Sequence, residues 1–356
     1  MSAQVYAVLK KIALTVIMAV VTTLIGIFIN HLTNALTDNI TNVFPTGTFG
    51  SMNGYERQIY ENIVNPDRIS DRMSTVGGLN DIKEDINANV LMPLKYPQIF
   101  FSKDSKILRP SRGILLHGPP GTGKTMLARV IAAEANVPFL SLSLSALENK
   151  YYGESNKLIQ ATFSLARKLQ PCIVFFDEID GLMKQRNEMD QSAVYGFKTE
   201  LLSQIDGMDS KESDSIFIIG TTNNIGYLDP AIKRRLPKVY RVQLPTKEER
   251  RAILTLKLSE EQVSDDILDW VSTNSETMSG SDLAELVRRA SAFRLQDQCK
   301  DTHFQSQLEF ATCIKDVYPL MGLTLKHFKE ALVAMGVSID DDEFTEGDED
   351  MPPETL

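Results

Sequence analysis

Four stretches of this 356-residue chain carry residue types and spacings suited to cutting a phosphoanhydride bond. The first is Gly118-Pro119-Pro120-Gly121-Thr122-Gly123-Lys124-Thr125, which fits the P-loop pattern G-x-x-x-x-G-K-[ST]. Its glycines let backbone N–H groups approach phosphates, and the helix that follows adds the partial positive charge of its N-terminus. In that pattern Lys124 reaches the β- and γ-phosphates of ATP, and Thr125 holds Mg²⁺. The second is Ile173-Val174-Phe175-Phe176-Asp177-Glu178: an apolar strand ending in two carboxylates. Asp177 supports the Mg²⁺ shell there, and Glu178 orients and activates the attacking water. The third, Thr221-Thr222-Asn223, ends the next strand candidate with a neutral amide able to hold the same water. The fourth runs from Asp229 to Pro237 and contains the adjacent Arg234 and Arg235. In a ring of subunits such arginines reach the neighbour's γ-phosphate and stabilise transition-state charge.

Chemistry of this kind needs a parallel sheet whose strand ends converge. Strand candidates fall at Gly113–His117, Phe139–Leu142, Cys172–Phe176, Ile216–Thr221 and Val239–Val242, alternating with helical segments such as Met126–Ala135. That alternation predicts an α/β fold with a parallel sheet. The unbroken run Ile173–Phe176 suits a strand buried on both faces. After Pro245 the strand signal stops, and Lys247–Leu258, Asp265–Thr273, Ser281–Gln298 and Thr324–Met335 read as helices of a small lid domain. Residues 30–69 are rich in Asn, Thr and Gly and read as a linker, with a short helix near Tyr55–Val64 and the main ordered region starting near Met73. The expected organisation is thus a short segment 1–11, a membrane helix 12–29, the linker 30–69, a large domain 70–245, a lid 246–337 and a tail 338–356. Lys150-Tyr151-Tyr152 falls in a loop of the large domain. Two exposed aromatics beside Gly153 fit a ring that grips peptide by contact with no sequence preference.

Composition narrows the partners. The net charge is −10, and nine acidic residues between Asp340 and Glu354, with no Lys or Arg among them, supply almost all of it. Nucleic-acid binding is disfavoured, because phosphate neutralisation requires clustered Lys and Arg. Such an acidic block is expected to stay solvated. The three cysteines, 172, 299 and 313, form no CxxC pair, and no HExxH motif is present, so neither a disulfide framework nor a zinc protease is indicated. Residues 12–29, IALTVIMAVVTTLIGIFI, contain no charge and are long enough for a membrane-spanning helix. They lack the small-residue cleavage site of a signal peptide. Lys10 and Lys11 weakly favour a cytosolic N-terminus, whereas the need for ATP places everything after residue 30 in the cytosol.

Taken together, Gly118–Thr125, Asp177-Glu178, Asn223, Arg234-Arg235 and Ser279-Gly280-Ser281-Asp282-Leu283 resemble the AAA family, in the group that includes katanin, spastin and the ESCRT-disassembly ATPase. The resemblance covers about residues 70–337. Val76-Gly77-Gly78-Leu79 resembles the family's turn near the adenine, and Gly280 and Ser281 belong to its nucleotide-binding set. Phe163–Pro171, the Arg234-Arg235-Leu236-Pro237 run and a single domain behind one N-terminal anchor resemble the subfamily that extracts mislocalised tail-anchored proteins at the mitochondrial outer membrane. The resemblance implies a homohexamer with a central pore, tail-anchored or other membrane-protein substrates, and a place in that membrane, often shared with peroxisomes. Tyr151 stands where the family usually has Trp, Asn223-Asn224-Ile225-Gly226 replaces the usual Asn-Arg-Pro, and the acidic tail is long. A tubulin-severing role would call for a basic linker, yet residues 30–65 hold one Arg, at 57, and no Lys.

Overall fold

The computed structural model describes residues 52–100, 111–143, 155–180, 196, 198–207, 215–301 and 322–338. The apolar run 12–29, the loop residues Lys150, Tyr151 and Tyr152, and the acidic tail lie outside the described residues. No helix among the described residues is long and apolar enough to cross a membrane.

Strict two-residue alternation builds the sheet. Its strands are β1 (Ile63–Val64), β2 (Gly113–His117), β3 (Phe139–Ser143), β4 (Cys172–Asp177), β5 (Ile216–Thr222) and β6 (Lys238–Arg241). Spatial order is β1-β3-β4-β5-β2-β6, parallel throughout except for β1. Side chains of successive strand residues leave opposite faces. Val174 and Phe176 therefore join one core layer with Leu115 and Ile218, while Ile173 and Phe175 join the other with Ile114 and Ile219. The continuous apolar run of β4 thus reflects burial on both faces. Cys172 is fully buried, as its setting predicts.

Helices cover both faces. On one lies α1 (Gly54–Tyr60), which packs on α4 (Ser155–Leu169); on the other lie α2 (Asn80–Ile86) and α3 (Lys124–Ala135). The helix expected at Tyr55–Val64 ends at Tyr60, and the chain then forms β1 against Leu140 and Phe139. Residues 54–64, expected in the linker, instead belong to the packed body. Asn53 and Glu56 form a capping box that starts α1. Glu56, 1% exposed, also accepts from Ser164 Oγ at 2.7 Å and pairs with Lys168 at 2.8 Å. A buried carboxylate requires such partners, and they fix α1 to α4.

The arginine-bearing α5 (Pro230–Arg235) precedes β6, and the described residues of the lid include the helices α6 (Lys247–Lys257), α7 (Asp265–Thr273), α8 (Gly280–Asp301) and α9 (Leu325–Ala334). They share a core that includes Leu254, Val271, Leu286 and Phe328. Helix α8 starts one residue before the expected Ser281, because Ser279 caps it. Asp282 accepts from the Ser279 N–H at 2.9 Å while Ser279 Oγ accepts from the Asp282 N–H at 3.3 Å.

Candidate nucleotide site

In this strand order β2 lies between β5 and β6, with β4 beside β5. The P-loop leaving β2 and the carboxylates ending β4 therefore meet at the C-terminal edge of the sheet, where open α/β sheets bind ligands. The loop is wedged between two elements. A Cβ at Gly118 would sit 1.8 Å from Val242 O, and one at Gly121 (φ +75°) would sit 2.4 Å from Ser279 Oγ. Only glycine fits these places. The Ser281 N–H donates to Gly121 O at 3.1 Å, so the lid's longest helix is hydrogen-bonded to the P-loop.

Lys124, 8% exposed, donates to Gly118 O at 2.9 Å and Pro119 O at 2.7 Å. Burial holds its ammonium below the usual lysine range, and Asp177, Asp180 and Glu178 pull it part of the way back. An ammonium resting on two neutral carbonyls can exchange them for phosphate oxygens, a gain in charge complementarity. Thr125 Oγ1 lies 3.2 and 3.3 Å from the two oxygens of Asp177. A hydroxyl and a carboxylate converging there are the oxygen donors Mg²⁺ takes, with phosphates and waters completing its shell.

Thr221 is the residue the sequence reading missed. Its Oγ donates to Asp177 Oδ1 at 2.5 Å and accepts the Glu178 N–H at 3.0 Å. Its carbonyl accepts the Ile179 N–H at 2.9 Å. Glu178 has φ +51°, a left-handed conformation uncommon outside glycine. Thr221 thus fixes the turn that aims Glu178. The signal lay in pairing rather than in the residue: Phe176 is level with Gly220, which puts Thr221 beside Asp177.

A cavity of ≈ 350 Å³ lies among these groups. Pro120, Gly121, Gly123, Lys124 and Thr125 line one wall, Asp177, Glu178 and Asn223 another, and Ser281 closes it from the lid. Gly77 and Gly78 border a separate ≈ 520 Å³ cavity against α6. A Cβ on Gly77 would meet Ile253 at 2.5 Å, and the Leu79 N–H donates to Glu249 Oε1 at 2.7 Å. Gly280 sits beside Gly121, while Arg234 and Arg235 lie outside the first cavity, on α5. Arg234 is exposed. Arg235 forms a two-pronged ion pair with Asp206, both contacts 2.7 Å.

The sequence profile described as "ATPase family associated with various cellular activities (AAA)" matches residues 114–244. Over 265 residues the chain is 40% identical to a zebrafish (Danio rerio) protein named outer mitochondrial transmembrane helix translocase, covering 73% of this chain and 69% of the relative. The chain belongs to the AAA family. It is also 34% identical over 259 residues to a Caenorhabditis elegans protein named spastin homolog, covering 71% of this chain and 50% of that one. Among solved structures, the AAA domain of FIGL-1 in complex with ADP superposes with a TM-score of 0.66 at 29% identity, covering 82% of this chain and 94% of that one. This AAA chain binds nucleotide and is an ATPase.

Proposed function

We propose that this AAA protein is a membrane-anchored dislocase that uses ATP hydrolysis to extract mislocalised tail-anchored proteins, threading them through the central pore of a homohexamer. The observation that carries the reading is the 40% identity to the zebrafish transmembrane helix translocase. Lys124 and the P-loop amides bind the ATP phosphates. Thr125 and Asp177 would hold Mg²⁺, an ion that would supply positive charge for the phosphoryl oxygens. Glu178 and Asn223 position the attacking water. Val76–Leu79 lie at the base end, and Gly280 and Ser281 close the site from the lid. Arg234 acts on the neighbouring subunit's nucleotide, and Arg235, paired with Asp206 inside its own subunit, braces the helix that carries it. Lys150, Tyr151 and Tyr152 line the pore and grip the client. Residues 12–29 anchor the chain in the mitochondrial outer membrane, and in peroxisomes too, with the ATPase domain in the cytosol.

The test uses the full chain in lipid nanodiscs with a model client bearing a single C-terminal membrane helix. Glu178→Gln should hold a hexamer on the client only when ATP is present. Tyr151→Ala should hydrolyse ATP normally yet leave the client in the membrane; a Tyr151→Ala protein that extracts at the normal rate removes the pore mechanism.

A further inference from the structure

The arginine helix α5 is held at both ends by one other helix. Residues 198–207 are helical, and two of their side chains, Lys198 and Asp206, point to opposite ends of α5. At the N-terminal end Lys198 pairs with Asp229. The same Asp229 caps α5 by accepting the Ala231 N–H at 2.6 Å. At the C-terminal end Asp206 takes Arg235 through both Nε and Nη2, and Arg235 also donates to Ala231 O at 3.1 Å. Lys198 and Asp206 stand about 12 Å apart along their helix and Asp229 and Arg235 about 9 Å along theirs, a difference the side chains of both ion pairs span. Between the two ion pairs, Leu201 and Ile205 share a buried cluster with Ile232 and Leu236 of α5. Ile179, next to Glu178, belongs to that same cluster. On its far side the 198–207 helix is tied to α4, where Arg167 donates to Gln204 at 3.1 Å.

We propose that Lys198 and Asp206 are positioning residues for hydrolysis, making the 198–207 helix a two-point clamp that sets where α5 presents Arg234 to the adjacent subunit. This rests on the reading of Arg234 as a group acting between subunits. A rigid mount is what that role needs. An arginine stabilises transition-state charge only where its guanidinium already stands when charge develops. The Arg234 side chain is exposed and makes no hydrogen bond or ion pair among the described residues, so its own surroundings do not fix it. Its position comes from α5, and α5 is fixed by the clamp. The ion pair at Asp206 is half-exposed on the acid's side, and such pairs contribute little to folding. Its geometry is nonetheless bidentate, the form that restricts orientation most. Placement of the helix is therefore the property it controls. The cluster shared with Ile179 also puts the clamp in packed continuity with the turn bearing Glu178, so the subunit's own water-activating residue and the arginine it lends outward rest on one body.

The experiment measures steady-state ATP hydrolysis by the full chain in nanodiscs for Asp206→Asn, Lys198→Gln, Arg234→Ala and the double variant Asp206→Asn/Arg234→Ala. ADP affinity and hexamer content are measured alongside. Asp206→Asn and Lys198→Gln should each lower kcat about 10- to 100-fold, the loss of a displaced group rather than a missing one. ADP affinity and hexamer content should stay within about threefold of wild type, and Asp206→Glu should restore most of the rate. The double variant should be no slower than Arg234→Ala alone, because residues acting through one another are non-additive. An Asp206→Asn enzyme with wild-type kcat overturns the clamp, as does a double variant whose losses multiply. Full turnover in Arg234→Ala overturns the arginine reading and the clamp with it, so the two failures are told apart.

Discussion

Replacing Thr221 with valine tests how the turn bearing Glu178 is held and, with it, the role proposed for that residue. The side chains are nearly the same shape, and Thr221 is 1% exposed, so packing is preserved while two hydrogen bonds are lost. One goes from Oγ–H to the Asp177 carboxylate at 2.5 Å, a bond to a charged acceptor contributing about 1.5–3 kcal/mol. The other leaves the Glu178 N–H without its 3.0 Å acceptor, at a cost of about 1–3 kcal/mol for an unsatisfied group. The two share one hydroxyl and do not add fully. A barrier increase of about 2–3 kcal/mol corresponds to a kcat roughly 30- to 150-fold lower. Lys124 and the loop amides are untouched, so ADP affinity measured without Mg²⁺ should change less than about threefold. Thr221→Ser should recover most of the rate, and Thr221→Val added to Glu178→Gln should cost nothing further. The reasoning is refuted if Thr221→Val turns over normally, if serine does as badly as valine, or if ADP binding falls in step with kcat.

Other outcomes can be read from stability. Burial pushes the Glu56 carboxyl up, but Lys168, Ser164 and the Asn53 N–H outweigh it and keep the group below the usual glutamate range. Lys168→Met leaves that buried carboxylate without its counter-charge, held by Ser164 and the Asn53 N–H alone, and should cost about 2 kcal/mol, roughly 4–8 °C in the Tm of a domain this size; calorimetry showing no shift would deny α1 its anchoring role. Burial also lowers His327, an effect that Lys326 and Arg294 reinforce and that Asp297 and Glu330 oppose. Its Nδ1 accepts the Thr324 N–H, which requires an unprotonated ring nitrogen. The unfolded chain therefore binds the extra proton first, and stability present above pH ~6.5 is lost as pH falls below that value. Between pH 7 and 5.5 the wild-type Tm should drop more than that of His327→Gln; equal slopes would discount the histidine. Glu249→Ala removes the partner of the Leu79 N–H and the capping carboxylate of α6. It should separate unfolding of the lid from that of the sheet, giving two thermal transitions that ADP draws back together, and a single transition at the wild-type Tm would count against that link.

The parallel sheet was legible because its strands are buried on both faces and its loops carry motifs whose chemistry dictates their neighbours. Asp177-Glu178 had to end a strand close to Lys124, and β4 does so. The helices expected at Lys247–Leu258 and Asp265–Thr273 are present at Lys247–Lys257 and Asp265–Thr273, and the structure shows the caps that start them, Thr246 with Glu249 and Ser264. What escaped were the parts set by pairing across long separations. Ile63–Val64 is too short to announce a strand and exists because β3 offers it an edge. Thr221 reads as one more strand residue until the register of β4 against β5 puts it beside Asp177. Asp206 and Lys198 read as ordinary helix-surface charges, and only the folded chain reveals that both ends of α5 lie within their reach.

Among the described residues, two seams that join the lid to the sheet pass through residues that hold nucleotide in the proposed reading. At one, the Gly121 carbonyl of the P-loop accepts the Ser281 N–H at 3.1 Å and Ser281 Oγ at 3.3 Å. At the other, Glu249 holds the Leu79 N–H, with Leu79 itself left-handed at φ +58°. The bonds at each seam are few, worth about 1 kcal/mol net apiece, with Gly77 packed against Ile253 beside the second, whereas each side owns a separate apolar core. Contacts that weak can open without unfolding either core. A nucleotide bridging the P-loop and α8 adds binding energy only to the closed arrangement, and a ligand shifts a conformational balance by its differential affinity for the two states. Hydrolysis and phosphate release remove part of that difference. Under the proposed function, the angle between sheet and lid is the coordinate that hydrolysis at Glu178 would drive, and in the proposed ring the lid would carry the change to the next subunit.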